Sequence, residues 1–238
     1  SPDWLWQAEE AVPCLGDPTT EAMRRLDAGV SGNAEGGLGL SWASLGLSQR
    51  WRDVITTLNP GPAPRLVQHL ALHDYRLLQS RRNLIVSSPT NSGKSLVGIL
   101  ALLEAVQRGR RAVLLEPMRA VAQEKLEELE SVAPQLAEVL GRPFDVRIST
   151  GDYRLEHETF AAPPPEKGEI VVATPERFDA ILRNTDYDDW VESVDAICLD
   201  EAHLISSPHR GSTLEYLITY CLCLPAPPRL ILLSATLG

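Results

Sequence analysis

Gly93, Lys94 and Ser95 have the residue types and spacing of a site that holds phosphate groups. They end the segment SPTNSGKS, which follows an apolar stretch typical of a strand and opens a stretch with helical periodicity. At such a junction, successive backbone N–H groups can surround a bound anion. Lys94 would reach the β- and γ-phosphates of ATP, and the Ser95 hydroxyl would hold Mg²⁺. The residues expected to surround ATP with Mg²⁺ are Pro89, Thr90, Asn91, Ser92, Gly93, Lys94 and Ser95.

The alternative is that Lys94 is a solvated residue at the start of a helix. The chain has only three lysines against nineteen arginines, so a lysine at this position indicates a need for a compact charge. A cation near the N-terminus of a helix is also unfavourable unless an anion binds there. The general phosphate-loop pattern has glycine where this chain has Ser88, which is a departure, but Ser88 is also a small residue.

Two carboxylates are expected beside the phosphates, because the apolar segment AICLD ends in Asp200 and continues as Glu201, Ala202 and His203. Ligands of open α/β folds bind at the carboxyl ends of the strands. Asp200 would hold Mg²⁺ through water, and Glu201 would orient or deprotonate the attacking water. The alternative is a strand end followed by an acidic helix cap. The predicted catalytic residues are therefore Lys94 and Glu201, and the predicted metal ligands are Ser95 and Asp200.

Two hydroxyl groups, of Ser234 and Thr236, lie at the end of the last apolar segment, RLILLSAT. They could bond the acidic residues or the phosphate end of the site and so transmit its state. We therefore expect His203, Ser234 and Thr236 to couple the site to the rest of the domain. Without the other motifs, the tripeptide Ser234-Ala235-Thr236 would not predict a function.

The segments around these residues alternate between strand and helix patterns, which is typical of an α/β fold with a parallel sheet. The strands are apolar throughout, as expected when helices cover both faces of a sheet. We predict strands at NLIVSS, AVLLEP, DVRIST, EIVVAT, AICLD and RLILLSAT. We predict helices at SLVGILALLEAVQR, AVAQEKLEELESV, PERFDAILRN and residues 211–223, and surface loops at 163–168 and 184–189.

An N-terminal extension over residues 1–63 is predicted to precede an ATP-binding domain over residues 64–238. The extension contains Trp4, Trp6, Trp42 and Trp51, a glycine-rich stretch and a closing NPGPAP cluster. These tryptophans could stack on bases, but burial against the main domain is the commoner use of such residues.

Composition limits the classes of partner that the chain can bind. A net charge of −10 and a pI near 5 argue against a broad basic surface for nucleic acid, so any strand contact must be local. The four cysteines lack metal-ligand spacing and are expected to be structural thiols. No apolar stretch approaches the roughly 18 residues of a membrane span. We expect a soluble, intracellular protein without a membrane partner.

Three motifs in this order resemble the superfamily 2 helicases: SPTNSGKS as motif I, DEAH as motif II and SAT as motif III. The resemblance covers residues 61–238 and is greatest to the superkiller-type DExH branch, which acts in DNA repair and RNA processing. It implies a RecA-like P-loop NTPase domain, ATP hydrolysis, and 3′-to-5′ movement on one nucleic-acid strand, DNA or RNA.

The resemblance also implies roles for residues outside the three motifs. Gln68 is the counterpart of a glutamine that reads adenine, with Gln79 as a weaker candidate. Thr174 and the first amides of the helix after it can bind a phosphate locally, which reconciles strand binding with the acidic total. The residues implied to contact the strand are Pro117, Arg119, Thr150, Gly151, Thr174, Pro175 and Arg177.

In this family a second RecA-like domain supplies motifs IV to VI and the arginine fingers, and these motifs are not among the 238 residues. We therefore expect the second domain as a partner and slow or silent hydrolysis without it. Two other interpretations stay open: a P-loop enzyme of another class, such as a small-molecule kinase, and a non-catalytic RecA-like scaffold.

Overall fold

The structure, a computed structural model, describes residues 40–150 and 167–235. Before the first strand it contains short helices that lead to the phosphate loop. These are a 3₁₀ helix at Trp42–Leu45, α1 at Gln49–Leu58, and α2 at Leu66–His69, which continues as a π-helical turn at Leu70–Asp74.

Six strands form one sheet, and every neighbouring pair within it is parallel. The order across the sheet is β1-β6-β5-β2-β4-β3, so β5 lies between the last strand and β2. The α/β fold with a parallel sheet is therefore confirmed. The strands are β1 (Leu84–Ser87), β2 (Arg111–Leu115), β3 (Phe144–Ser149), β4 (Gly168–Ala173), β5 (Val194–Leu199) and β6 (Arg229–Ser234).

Helices cover both faces of the sheet. Alternate residues of each strand point to opposite sides, and both sets are apolar, so both faces need a covering layer. In β2, Ala112 and Leu114 belong to one apolar core, and Val113 and Leu115 belong to the other. The helices after β1 are α3 (Lys94–Gln107), α4 (Arg119–Leu140), α5 (Pro175–Leu182), α6 (Asp188–Glu192) and α7 (Gly211–Leu222). The first core includes residues of α1, α3 and α4, and the second includes residues of α5, α6 and α7.

The loop predicted at 184–189 was wrong in part. The structure has a 3₁₀ helix at Thr185–Tyr187 followed directly by α6. The Asn184 side chain caps the 3₁₀ helix. Trp190 of α6 is fully buried and so anchors these short helices to the core, although the polar residues before it predicted a surface loop. Of the loop predicted at 163–168, residues 163–166 lie outside the described residues, and Gly168 already belongs to β4.

The described end of the predicted N-terminal extension packs against the domain. Trp51, Val54 and Ile55 of α1 are buried, and α1 contacts α4. The Trp42 indole N–H donates a hydrogen bond to the Gly61 carbonyl at 3.0 Å. The prediction that tryptophans anchor this segment is confirmed for Trp42 and Trp51. Trp4 and Trp6 lie outside the described residues, and a boundary at residue 63 stays a prediction.

The cysteines at 198, 221 and 223 are free thiols. Cys198 and Cys221 are buried, as expected for structural thiols, and Cys223 is exposed. Burial raises the pKa of the Cys221 thiol to about 12, which leaves it protonated and unreactive. None of the helices within the described ranges is long and apolar enough to cross a bilayer.

A buried ionic network lies at the edge of the sheet where the strands begin. Arg111 is 1% exposed and pairs with Glu169, which is 5% exposed and also lies 3.1 Å from Arg147. The Arg111 guanidinium stacks 4.7 Å from the centre of the Trp190 ring. Two buried charges are tolerated here because each has a partner of opposite sign.

We predict that Arg111→Ala lowers the free energy of unfolding by about 3 to 5 kcal/mol, because it leaves Glu169 buried without its main partner. Urea denaturation followed by circular dichroism measures the change. Arg183→Ala is the matched control, since Arg183 pairs with Asp179 on the exposed surface and should change the midpoint little. A loss below about 1 kcal/mol for Arg111→Ala would show that the network is as weak as an exposed ion pair.

Candidate functional site

The carboxyl ends of the central strands meet at one edge of the sheet and carry the predicted site residues there. Backbone pairing continues one residue beyond the strands: the Asp200 N–H donates to the Leu115 carbonyl at 3.0 Å. In the same way, the Glu116 N–H donates to the Ala173 carbonyl at 2.9 Å. Asp200, Glu116 and Thr174, which follows Ala173, therefore lie side by side, although they are far apart in sequence.

The phosphate loop between β1 and α3 has the backbone that its glycine requires. Gly93 precedes α3 with a φ of 87°, in the left-handed region. A Cβ at Gly93 would lie 2.3 Å from the Gln68 amide nitrogen, so a larger residue would also displace Gln68. Asn91 has a positive φ as well, at 63°. The loop is thus held in a turn that leaves Pro89, Thr90 and Asn91 exposed.

The side chains of Lys94 and Ser92 have polar groups without a hydrogen-bond or ion-pair partner in the described part of the protein. Lys94 is only 6% exposed, yet its ammonium group makes no hydrogen bond or ion pair with the described residues. The Ser92 hydroxyl is buried without a hydrogen-bond partner among them. Buried polar groups are normally paired, so this loop fits an anion that pairs with both. The Ser95 side chain, the predicted magnesium ligand, is exposed at the start of α3.

Gln68 is buried against the phosphate loop. Its side-chain carbonyl accepts a hydrogen bond from the Arg65 N–H at 2.9 Å, and its amide donates to the Gly93 carbonyl at 3.1 Å. Gln68 therefore contributes to the shape of the loop itself, and its role in reading adenine stays a prediction. Gln79, the weaker candidate, is exposed beyond the π-helical turn.

Glu201 has a strained backbone just after the carboxyl end of β5. Its φ of 53° lies in the left-handed region, which is uncommon for a residue other than glycine, and its N–H donates to the Asp200 carboxylate at 2.8 Å. The carboxylate oxygen Oε2 lies 3.1 Å from His203 Nδ1, but neither atom has a partner with hydrogen-bond geometry among the described residues. The Glu201 carboxylate therefore has a free acceptor, as a residue that orients water needs.

Glu116 is a third carboxyl group in this site that the motifs did not include. It is 2% exposed, at the carboxyl end of β2. Burial, followed by the negative charge of Asp200, raises the pKa of Glu116 to about 8, while Lys125 opposes the shift. At neutral pH this carboxyl group is therefore mostly protonated, which limits repulsion with Asp200 and Glu201. Its position directly after the strand AVLL was the sequence signal that could have revealed it.

Of the predicted coupling residues, Ser234 lies on β6, between β1 and β5. Ser234 is buried at the end of β6, and its carbonyl accepts a hydrogen bond from the Ser88 N–H at 3.1 Å. This bond joins the last strand to the first residue of the phosphate loop. His203 lies beside Glu201, as given above. Thr236 lies outside the described residues.

A cleft of about 680 Å³ lies beyond the same edge of the sheet. It is bounded by the loop after β2, the first turns of α5, and the residue before α7. Four of the residues predicted to contact a strand line it: Pro117, Arg119, Thr174 and Arg177. The complete lining is Pro117, Met118, Arg119, Ala120, Thr174, Glu176, Arg177, Ala180 and Arg210.

The start of α5 is capped by Thr174. The Thr174 hydroxyl accepts a hydrogen bond from the Arg177 N–H at 3.4 Å, and Pro175 is the first helical residue. The Arg177 side chain donates to the Ser149 hydroxyl at 3.2 Å, which holds it at the cleft. Thr150 is buried next to Ser149, and Gly151 lies outside the described residues.

The charge of the cleft is opposite to that of the whole chain. Arg119, Arg177 and Arg210 line it, with Glu176 as the single acidic residue in that lining. The total of −10 therefore does not describe this surface. The basic groups that phosphate contacts require are therefore present at this cleft.

Comparison with known families and proteins agrees with this geometry. The DEAD/DEAH box helicase family matches residues 65–238. The chain is 38% identical over 157 residues to the ATP-dependent DNA helicase Hel308 of Pyrococcus abyssi, which covers 66% of this chain and 20% of that protein. The Hel308 protein of Thermococcus kodakarensis is 37% identical over 158 residues, with 66% and 12% covered. The chain therefore spans a fifth or less of the length of these relatives.

Solved structures show the same fold. The helicase MrfA bound to DNA and AMPPNP superposes with a TM-score of 0.61 at 21% identity, over 81% of this chain and 26% of that one. A variant of Dbp5 from S. cerevisiae bound to RNA and ADP BeF3 gives a TM-score of 0.62 at 20% identity, over 83% and 47%. At these identities the likeness confirms a RecA-like fold.

We predict that Glu116→Gln removes a pH dependence of stability. The pKa of Glu116 is about 8 in the folded protein against 4.5 for an ordinary glutamate. Between these values the folded state keeps a proton that the unfolded state releases, so the free energy of unfolding of the wild type falls as pH rises. Glutamine does not titrate. The free energy of unfolding of the variant, relative to that of the wild type, should therefore rise by up to about 1.4 kcal/mol per pH unit in this window.

Urea unfolding of both proteins in EDTA, at several pH values across the window, measures this difference. Glu130→Gln is the matched control, because Glu130 is exposed on α4 and its substitution should leave the pH profile unchanged. Parallel profiles for the wild type and Glu116→Gln would contradict a buried, protonated Glu116.

Proposed function

The chain belongs to the DEAD/DEAH box helicase family, and from this premise we propose that it is the part of a nucleic-acid motor that binds Mg-ATP and grips one strand. The single observation that carries the proposal is the shared edge of the sheet. There the phosphate loop follows β1, the Asp200–Glu201 pair follows β5, and the basic cleft lies after β2 and β4. Within the family, we infer the superkiller-type branch from the motifs and the Hel308 relatives.

Nucleotide binding in this proposal depends on the loop that contains Gly93. The left-handed turn directs backbone N–H groups of the loop and of the first turn of α3 toward the phosphates, and the positive end of the helix dipole adds to the attraction. Lys94 supplies a compact positive charge in a poorly solvated position, where charge pairing is strongest. Gln68 holds the Gly93 carbonyl and so supports the turn.

The residues present also fit a magnesium ion, which when bound would neutralise charge on the phosphates. The Ser95 hydroxyl and the Asp200 carboxylate are oxygen ligands of the kind that Mg²⁺ prefers. The Glu201 carboxylate, with its free acceptor, would orient the attacking water and accept its proton. His203, 3.1 Å from that carboxylate, would help to hold it in place.

Strand binding is proposed for the cleft. Pro117 and Arg119 on one side, and Thr174 and Arg177 on the other, would contact phosphates and leave the bases unread. The two relatives described above, at 37–38% identity, are both named DNA helicases, so we propose a DNA strand in preference to RNA. A motor on such a strand would act inside the cell, as expected from composition.

A second RecA-like domain is the proposed partner of this one. Arginine fingers from a partner typically accelerate such reactions by about 10³ to 10⁵. We therefore infer that the 238 residues alone hydrolyse ATP slowly, and that nucleotide binding is the activity to test first.

We predict that Lys94→Ala abolishes binding of a fluorescent ATP analogue in the presence of Mg²⁺. The reason is that the positive charge at the start of α3, which we propose pairs with the phosphates, is lost. Lys167→Ala is the matched control, because Lys167 pairs with Asp145 at the opposite edge of the sheet and should leave affinity unchanged. Absence of binding by the wild type at millimolar nucleotide would favour a non-catalytic scaffold instead.

We predict that Glu201→Gln retains affinity for the nucleotide but loses about 10² to 10⁴ in the rate of hydrolysis, the usual contribution of a general base. Single-turnover assays with excess protein detect even a slow wild-type rate. Glu192→Gln, an exposed substitution at the end of α6, serves as the control. Equal rates for the wild type and Glu201→Gln would exclude Glu201 as the base.

A further inference from the structure

Arg210 joins the two walls of the cleft and is absent from the sequence motifs. Its Nη1 donates a hydrogen bond to the Pro117 carbonyl at 2.6 Å, and its Nε lies 3.2 Å from the Glu176 carboxylate. Pro117 belongs to the loop after β2, and Glu176 belongs to the first turn of α5. One guanidinium group therefore contacts both segments that we propose to hold the strand.

A tight turn fixes the backbone of Arg210. The Gly211 N–H donates to the Ser207 carbonyl at 2.9 Å, and a Cβ at Gly211 would lie 2.2 Å from the Ile205 carbonyl oxygen. Only glycine fits there. Ile205 belongs to the 3₁₀ helix Ala202–Ser206, which begins directly after Glu201. The backbone from which Arg210 extends into the cleft is therefore held by the turn, and its bond to the Pro117 carbonyl restrains the side chain.

The guanidinium group of Arg210 keeps donors for a further acceptor. Arginine has five N–H donors in a planar group, and the contacts above use Nη1 and Nε. Among the described residues, Nη2 has no hydrogen-bond partner, and the side chain is 39% exposed. A planar group with two adjacent donors suits a phosphate, which it can bind in a bidentate manner.

Glu176 is the residue that a phosphate would displace. It is the one acidic residue in the cleft lining, and its side chain is 50% exposed. An ion pair so exposed is weak, because water solvates both charges. A strand phosphate would bring the same charge as Glu176 to the same guanidinium group, so the two anions compete for it.

We propose that Arg210 is a further phosphate-binding residue of the cleft, which Glu176 holds until a strand phosphate replaces the carboxylate. The bond from Nη1 to the Pro117 carbonyl persists in both states and keeps the loop after β2 in place. This inference rests on the proposed binding of a strand.

Fluorescence anisotropy of a labelled oligo-dT strand, titrated with the 238-residue protein at several salt concentrations, tests the exchange. Arg210→Ala should weaken binding about ten- to a hundredfold, as for one hydrogen bond to a charged group. It should also reduce the slope of log K against log salt by about 0.7, the value for one phosphate of a single strand. Arg183→Ala, outside the cleft lining, should change neither quantity.

Glu176→Gln should tighten binding up to about fivefold, because it removes a weak competing ion pair. The same substitution should have no effect in an Arg210→Ala background, since the group for which Glu176 competes is then absent. Arg210→Lys should keep the salt slope but bind more weakly, because an ammonium group cannot hold Pro117 and a phosphate in the same planar geometry. This variant, with Glu176→Gln, keeps the test decisive if Arg210→Ala does not fold.

Three results would overturn the inference. An unchanged salt slope for Arg210→Ala would show that Arg210 only positions the loop. Equal tightening by Glu176→Gln with and without Arg210 would show that Glu176 repels the strand directly. A wild-type protein that binds nucleotide but no strand would overturn the proposed strand binding, and the role of Arg210 with it.

Discussion

The hydrogen bond from the Asp200 N–H to the Leu115 carbonyl extends the parallel pairing of β5 and β2 past the ends of both strands. Parallel strands all end at the same edge of the sheet, so this pairing sets Asp200 beside Glu116 and directs the chain after each strand to one side. The phosphate loop after β1 joins the same edge through the bond between Ser88 and Ser234. Every functional feature of the domain depends on this common edge.

This arrangement buries charged and titratable groups at both edges of the sheet. The two edges stabilise those groups in different ways. Where the strands begin, Arg111 and Glu169 are buried as a pair of opposite charges. Where they end, Glu116 lies close to two further carboxylates, and its raised pKa keeps it protonated. Neutralisation by a proton removes the charge of Glu116 without placing a counter-ion at this edge of the sheet.

An acidic protein can bind an acidic polymer because electrostatic attraction is local. Salt screens charges over about 10 Å at moderate ionic strength, so the arginines of the cleft act on a nearby phosphate more than the distant acidic surface does. Glu176 is the acidic group in the cleft lining, and it offsets part of this local positive charge by pairing with Arg210. In the binding that we propose, the arginines of the cleft and the N-terminus of α5 attract the strand, so a broad basic surface is not needed.

Local patterns in the sequence determined the parallel α/β fold, the phosphate loop at Gly93 and the acidic pair at Asp200, because each depends on residues within about ten positions of one another. Which strands are neighbours was not visible in those patterns. The burial of Glu116 beside Asp200 depends on β2 lying next to β5, and the position of Arg210 depends on a turn that packs against the loop after β2. Contact of Gln68 with Gly93, over 25 residues, has the same origin. Tertiary structure alone decided these features, because they arise from contacts between elements that sequence spacing does not specify.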